Sequence, residues 1–176
     1  MGTTLVAAAI VRRELWAVNI GDSRCYLWRM GKLDQLSYDH APVARTAGDR
    51  QINRALGAER TVNADLVGPI KLTAGDCLLL CTDGLSTAVP DQVIAKTLHE
   101  FTGQAAARQL LLLTQTAGAR DNVSILVVNI AAASPEATIL SRWCESLHLM
   151  LTQVVRAGRN PWRIITTGRW RTRRGL

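Results

Sequence analysis

Short apolar runs bounded by Gly, Asp or Pro occupy positions 3–11, 14–20, 24–30, 33–37, 65–72, 76–82 and 123–130. Their β-branched or alternating character reads as strand, and Met30-Gly31-Lys32 supplies a hairpin turn between two of them. Helical spacing comes later. Pro90-Asp91 opens a helix to about Phe101, with Val93, Ile94, Thr97, Leu98 and Phe101 on one face. Gln104 to Ala117 reads as a second helix, stopped by Gly118. Strands first and helices afterwards predict an α+β domain.

Three of the turns beside these runs carry an aspartate. Asp22 lies in Gly21-Asp22-Ser23-Arg24, Asp83 in Cys81-Thr82-Asp83-Gly84, and Asp121 in Arg120-Asp121-Asn122. Taken singly, each is the residue a tight turn selects, because its side chain caps the turn. Taken together they suggest more. A strand end fixes a side chain at the rim of a sheet, open to water. Three carboxylates held so can share a hard divalent cation such as Mg²⁺ or Mn²⁺.

The surroundings of these aspartates resemble the metal-dependent protein serine/threonine phosphatases of type 2C. The resemblance runs from Met1-Gly2-Thr3-Thr4 to about Ile130. It comprises Trp16-Ala17-Val18-Asn19-Ile20-Gly21-Asp22-Ser23-Arg24, Leu36-Ser37-Tyr38-Asp39-His40 and Arg54-Ala55-Leu56-Gly57. It continues through Gly75-Asp76-Cys77-Leu78-Leu79-Leu80-Cys81-Thr82-Asp83-Gly84-Leu85 and Asp121-Asn122-Val123-Ser124-Ile125. The resemblance implies a partial α/β/β/α sandwich, mostly antiparallel, with helices outside. It implies hydrolysis of phosphoserine and phosphothreonine in protein substrates by Mn²⁺- or Mg²⁺-activated water. Asp83 and Asp121 match metal ligands, and Asp22 matches the position linked to a third, looser ion. No side-chain nucleophile is implied, and the Asp39-His40 pair is expected to be structural.

The departures are specific. The family's N-terminal strands and paired helices have no counterpart, nor has its Asp-Gly-x-Gly-Gly segment, whose aspartate bridges two metals. The phosphate-binding arginine and the proposed general-acid histidine belong to that part as well. The chain therefore reads as an N-terminally truncated member. Thr87 stands where relatives often carry another acid, four residues after Asp83, and the segment between His40 and Arg54 is short.

Charge divides the chain. Residues 1–130 carry 13 basic and 12 acidic side chains, whereas residues 131–176 carry 8 and 2. The pI of 9.9 thus describes the tail, and whole-chain charge gives no ground for a specific nucleic-acid partner. The expected organisation is a phosphatase-like portion over 1–130 and a basic extension over 131–176. In the extension, Ser134-Pro135-Glu136 starts a helix to about 157, with Leu140, Trp143, Leu147, Met150, Leu151 and Val154 forming a stripe. Beyond Gly158 the chain is expected to be disordered. Residues 156–176, rich in Arg and Trp, suit a weak contact with an anionic membrane or acidic protein.

Four cysteines (Cys25, Cys77, Cys81 and Cys144) show no zinc spacing; Cys77 and Cys81, four apart on a strand, read as small buried residues, and the protein as reduced and cytoplasmic. His99 and His148 fall in helical stretches without partner ligands. Two further functions compete with the phosphatase: a non-catalytic phosphatase-like binding module, and an adaptor acting through residues 131–176.

Overall fold

A computed structural model of the protein describes residues 2–40, 53–58, 60–119 and 121–132. The expected tail helix at 135–157, its basic end and most of the short segment after His40 lie outside them. The described strands are β1 (Leu5–Val11), β2 (Glu14–Ile20), β3 (Arg24–Arg29), β4 (Lys32–Gln35), β5 (Asp65–Lys71), β6 (Cys77–Cys81) and β7 (Ile125–Asn129). Three helices, α1 (Asp83–Ala88), α2 (Asp91–Glu100) and α3 (Gly103–Thr116), follow β6.

Two tight hairpins begin the chain. Met30 and Gly31 take φ of 50° and 83° between the paired residues Arg29 and Lys32. This is the left-handed pair that matches strand twist in a two-residue turn. Arg12 and Arg13 do the same between β1 and β2, at φ of 51° and 64°. Without glycine that geometry costs about 1–2 kcal/mol per residue. At Arg13 a compensating contact exists: its guanidinium donates to the Ala131 carbonyl at 2.6 Å.

The strands form two antiparallel sheets, β1-β2-β5 and β4-β3-β6-β7. Strand β6 is buried along its whole length. Cys77, Leu79 and Cys81 face the helices, where they meet Leu85, Ile94, Leu98 and Leu110. Leu78 and Leu80 face the other sheet and meet Leu15, Ala17, Cys25 and Leu27. Burial on both sides explains why this run is continuously apolar instead of alternating. The layer order is helices, four-stranded sheet, three-stranded sheet. Among the described residues no helix covers the outer side of the smaller sheet.

Cys25, Cys77 and Cys81 are buried and unpaired. Burial pushes their thiols up, to about 12 at Cys25 and Cys81 and about 11 at Cys77. They are inert core residues, as the sequence suggests for Cys77 and Cys81. His99 is exposed and lies against Trp28, ring centroids 5.9 Å apart. No helix of the described residues is long and apolar enough to cross a membrane.

Just before β6, Asp76 is 1% exposed and fully occupied. Arg29 donates to it from Nε at 2.8 Å and from a terminal nitrogen at 2.7 Å, and the Thr73 amide donates at 2.6 Å. Burial alone would raise the Asp76 carboxyl, but Arg29 and Thr73 hold it below its ordinary value. A depressed folded value stabilises the protein above the unfolded value, about pH 4, and that contribution vanishes as pH falls further. Asp76→Asn is accordingly expected to cost about 1–3 kcal/mol at neutral pH. Urea midpoints of the two proteins should converge below about pH 4. A gap that persists in acid would show that the charge of Asp76 is irrelevant.

Candidate metal-binding rim

Strand register decides where the three aspartates go. Arg24 pairs with Cys81, and Cys81 pairs with Ile125. Asp22 precedes the start of β3, Asp83 follows the end of β6, and Asp121 precedes the start of β7. In antiparallel pairing these three ends coincide, so all three residues belong to one rim of the larger sheet.

Two of them are tied together by backbone and hydroxyl contacts. The Thr82 amide donates to the Ser124 carbonyl at 3.1 Å, and the Ser124 amide donates to Thr82 Oγ1 at 3.0 Å. Thr82 Oγ1 in turn donates to the Asn122 carbonyl at 3.3 Å. Gly84 seals the junction: a Cβ there would sit 2.7 Å from the Asn122 carbonyl oxygen and 3.0 Å from Val123 Cγ2. Thr82 stands at the N-cap of α1, yet its hydroxyl bridges two strands instead of capping the helix. The segments bearing Asp83 and Asp121 are thereby clamped.

The side chains themselves differ. Asp83 is half-buried, and no hydrogen bond or ion pair engages its carboxylate among the described residues. Asp121 is exposed and accepts the Asn122 amide on Oδ1 at 2.7 Å, leaving Oδ2 uncommitted in that contact. The short helix α1 was not legible as such in the sequence, where Asp83 reads as a turn residue. It places Asp83 in the first helical turn, whose unpaired amides favour a negative charge.

Asp22 departs from its expected exposure: it is 7% exposed. Its turn is pressed into the protein. Gly21, at φ 102°, packs its backbone against Thr4, and Thr4 Oγ1 meets Ser23 Oγ at 2.9 Å. His40 clamps the same glycine, with its Nδ1 accepting the Gly21 amide at 3.1 Å and its own amide donating to Gly21 O at 2.9 Å. The proton on Nε2 then faces Asp65 Oδ2 at 3.0 Å. Asp39 accepts Arg24 Nε and a terminal nitrogen at 3.0 and 2.7 Å. Both members of the Asp39-His40 pair therefore hold structure. Thr87 offers no carboxylate.

Among the described residues, no three His, Cys, Asp or Glu side chains converge as a metal-binding group. Asp83 and Asp121, whose segments the Thr82 hydroxyl joins, carry hard oxygen donors of the kind taken by Mg²⁺ or Mn²⁺, which commonly bind one or two carboxylates and several waters. Thr82 and Gly84 are the site-building residues that the sequence reading passed over. Their signal was the unbroken Thr82-Asp83-Gly84 run directly after a wholly apolar strand.

Comparison with known proteins is consistent with this arrangement. Residues 1–50 match the family model described as Protein phosphatase 2C. The serine/threonine phosphatase stp of Listeria welshimeri is 33% identical over 144 residues, which is 73% of this chain and 56% of that protein. The serine/threonine protein phosphatase PstP of Mycobacterium tuberculosis is 34% identical, with 74% of this chain and 28% of that protein covered. Among solved structures, PppA, described as a key regulatory component of the T6SS in Pseudomonas aeruginosa, superposes with a TM-score of 0.68 at 33% identity. It covers 73% of this chain and 57% of that one. The catalytic domain of PstP in complex with two manganese ions gives a TM-score of 0.65 at 35% identity, covering 75% and 60%. The chain spans 56% of the Listeria relative's length. With its two antiparallel sheets, its outer helices and its motifs in order, the chain belongs to the protein phosphatase 2C family.

Proposed function

We propose that this chain serves the hydrolysis of phosphoserine and phosphothreonine in protein substrates, with Asp83 and Asp121 as ligands to Mn²⁺ or Mg²⁺. The observation that carries this reading is the Thr82–Gly84 junction, which locks two carboxylates onto one rim. A divalent ion held there supplies acidified water near neutral pH and positive charge toward phosphoryl oxygens. The chain's own contribution is positional. Strand β6, covered on both faces, anchors Asp83, and Asn122 orients Asp121 through its amide. A metal pair requires a further carboxylate, which the described residues do not bring to this point. Asp22 stays a candidate for a third ion on the same rim. The unpaired thiols favour a cytoplasmic setting.

The test is Mn²⁺-dependent release of phosphate from a phosphothreonine peptide. Residues 1–176 alone are expected to run at background. Adding the Asp-Gly-x-Gly-Gly portion of a relative should produce turnover. Asp121→Asn should then lower it by on the order of 10²–10³-fold, several kcal/mol of lost metal stabilisation. Vigorous turnover by 1–176 alone would mean that another acid here completes the site. Absence of turnover in the folded, Mn²⁺-bound mixture would favour the non-catalytic binding module instead.

A further inference from the structure

Asn19 stands near the end of β2, just before the Gly21–Asp22 turn, and is 3% exposed. It shares the inward side of the strand with Leu15 and Ala17, so a polar amide lies between the two sheets at the end that carries Asp22. Its Nδ2 donates to the Tyr38 carbonyl at 2.8 Å and to the Gly21 carbonyl at 3.3 Å. Carbonyls only accept, so the amide nitrogen must face them and Oδ1 must face away. Gly21 O also takes the His40 amide at 2.9 Å. The carbonyl that leads into Asp22 is therefore held by two donors from different parts of the chain. Because the peptide unit is planar, fixing that carbonyl fixes the direction in which the backbone enters Asp22. The other half of the amide is unused. Oδ1 is buried, and no described residue donates to it. Buried acceptors are nearly always satisfied, and an exception calls for a specific reason, such as an ion or its water.

We propose that Asn19 is a positioning residue for a divalent ion at Asp22. Nδ2 sets the turn that aims the carboxylate, and Oδ1 accepts a hydrogen bond from water carried by the ion. The proposal rests on the reading of Asp22 as a third-ion ligand. The chemistry of the donors agrees with it. Mg²⁺ and Mn²⁺ keep several waters when bound, each with protons to donate, and a neutral amide oxygen receives one without adding charge. Closing the turn needs Nδ2 alone and leaves Oδ1 unexplained. Both halves of the amide have a role once an ion is held beside them.

The test uses the full chain carrying Asp121→Asn, which removes the Asp83–Asp121 site from the measurement. Free Mn²⁺ is followed by its EPR signal, and thermal melts show whether each protein is folded. The parent is expected to bind Mn²⁺, and Asp22→Asn to abolish that binding. Asn19→Ala should weaken it by about 10–100-fold, as loss of support behind a metal ligand does. Leu98→Ala, in the core against the helices, should lower the melting temperature and leave Mn²⁺ affinity unchanged. Asn19→Ser, too short to reach both carbonyls, should behave like Asn19→Ala and replaces it should that variant misfold. Normal affinity in a folded Asn19 variant, or equal weakening by Asn19→Ala and Leu98→Ala, would overturn the proposal. So would the absence of Asp22-dependent binding, a result that leaves the reading of Asp83 and Asp121 intact. Unfolding of both Asn19 variants would overturn it as well, by assigning the residue to the fold alone. The reading of Asp83 and Asp121 fails separately, through equal uptake of Mn²⁺ by the wild type and Asp121→Asn.

Discussion

Gly84→Ala is expected to destabilise the protein by about 1–3 kcal/mol, the cost of forcing extra volume into a close-packed contact. It is also expected to weaken Mn²⁺ binding about 10–100-fold, as loss of support behind a metal ligand does. The new methyl would lie 2.7 Å from the Asn122 carbonyl oxygen, 3.0 Å from Val123 Cγ2 and 3.3 Å from the Asn122 carbonyl carbon. Two of those three atoms are backbone, so no rotamer change relieves the clash. The chain must move at Asn122, and Asn122 adjoins Asp121 and orients its carboxylate. Thermal melts and calorimetric Mn²⁺ titrations separate the two effects. Gly75→Ala is the control: it strains a φ of 91° in open space, before the start of β6 and so at the opposite end of the sheet. It should lower stability without altering Mn²⁺ affinity. A folded Gly84→Ala protein that binds Mn²⁺ normally would remove the junction from the account of the site.

The second large effect lies in the core. Leu79 is 0% exposed at the centre of β6, between Tyr26 and Val127 on the neighbouring strands and against the helices. Leu79→Ala should cost about 2–5 kcal/mol through lost burial and the cavity left behind. At ~4 °C per kcal/mol for a domain of this size, the melting temperature should fall by about 8–20 °C. Leu126, on adjacent β7, is 56% exposed. Its replacement by alanine should stay within about 0.5 kcal/mol. Comparable losses at the two positions would mean that the order of layers is wrong.

Much of this architecture was legible in the sequence. The strands stand out because Gly, Asp or Pro border most of the apolar runs, and β6 gives itself away by its lack of alternation. Helix α1 did not stand out, because six residues are too few to display a helical period, and Thr-Asp-Gly also spells a turn. Asp22 was expected to be open to water, yet it is buried, in a turn whose neighbours Ser23 and Gly21 are held by Thr4 and His40, which are remote in the chain. A turn motif carries no record of what will be packed over it. The placing of the segments that bear Asp83 and Asp121 at one rim likewise rests on cross-strand register. Pairing of Cys81 with Ile125 brings together residues that lie far apart in sequence.

Strand position also gives the segments that bear Asp83 and Asp121 unequal mechanical standing. Strand β6 is flanked by β3 and β7 and covered above and below, whereas β7 is the last strand of its sheet and pairs only with β6 among the described strands. Amide exchange should be slowest along Cys77–Cys81 and measurably faster along Ile125–Asn129, since local opening begins where few contacts hold the backbone. Asp83 thus follows a strand flanked on both sides and buried, and Asp121 precedes an edge strand among the described residues. If an ion is held between them as proposed, partial detachment of β7 alone is expected to release it while the rest of the domain stays folded.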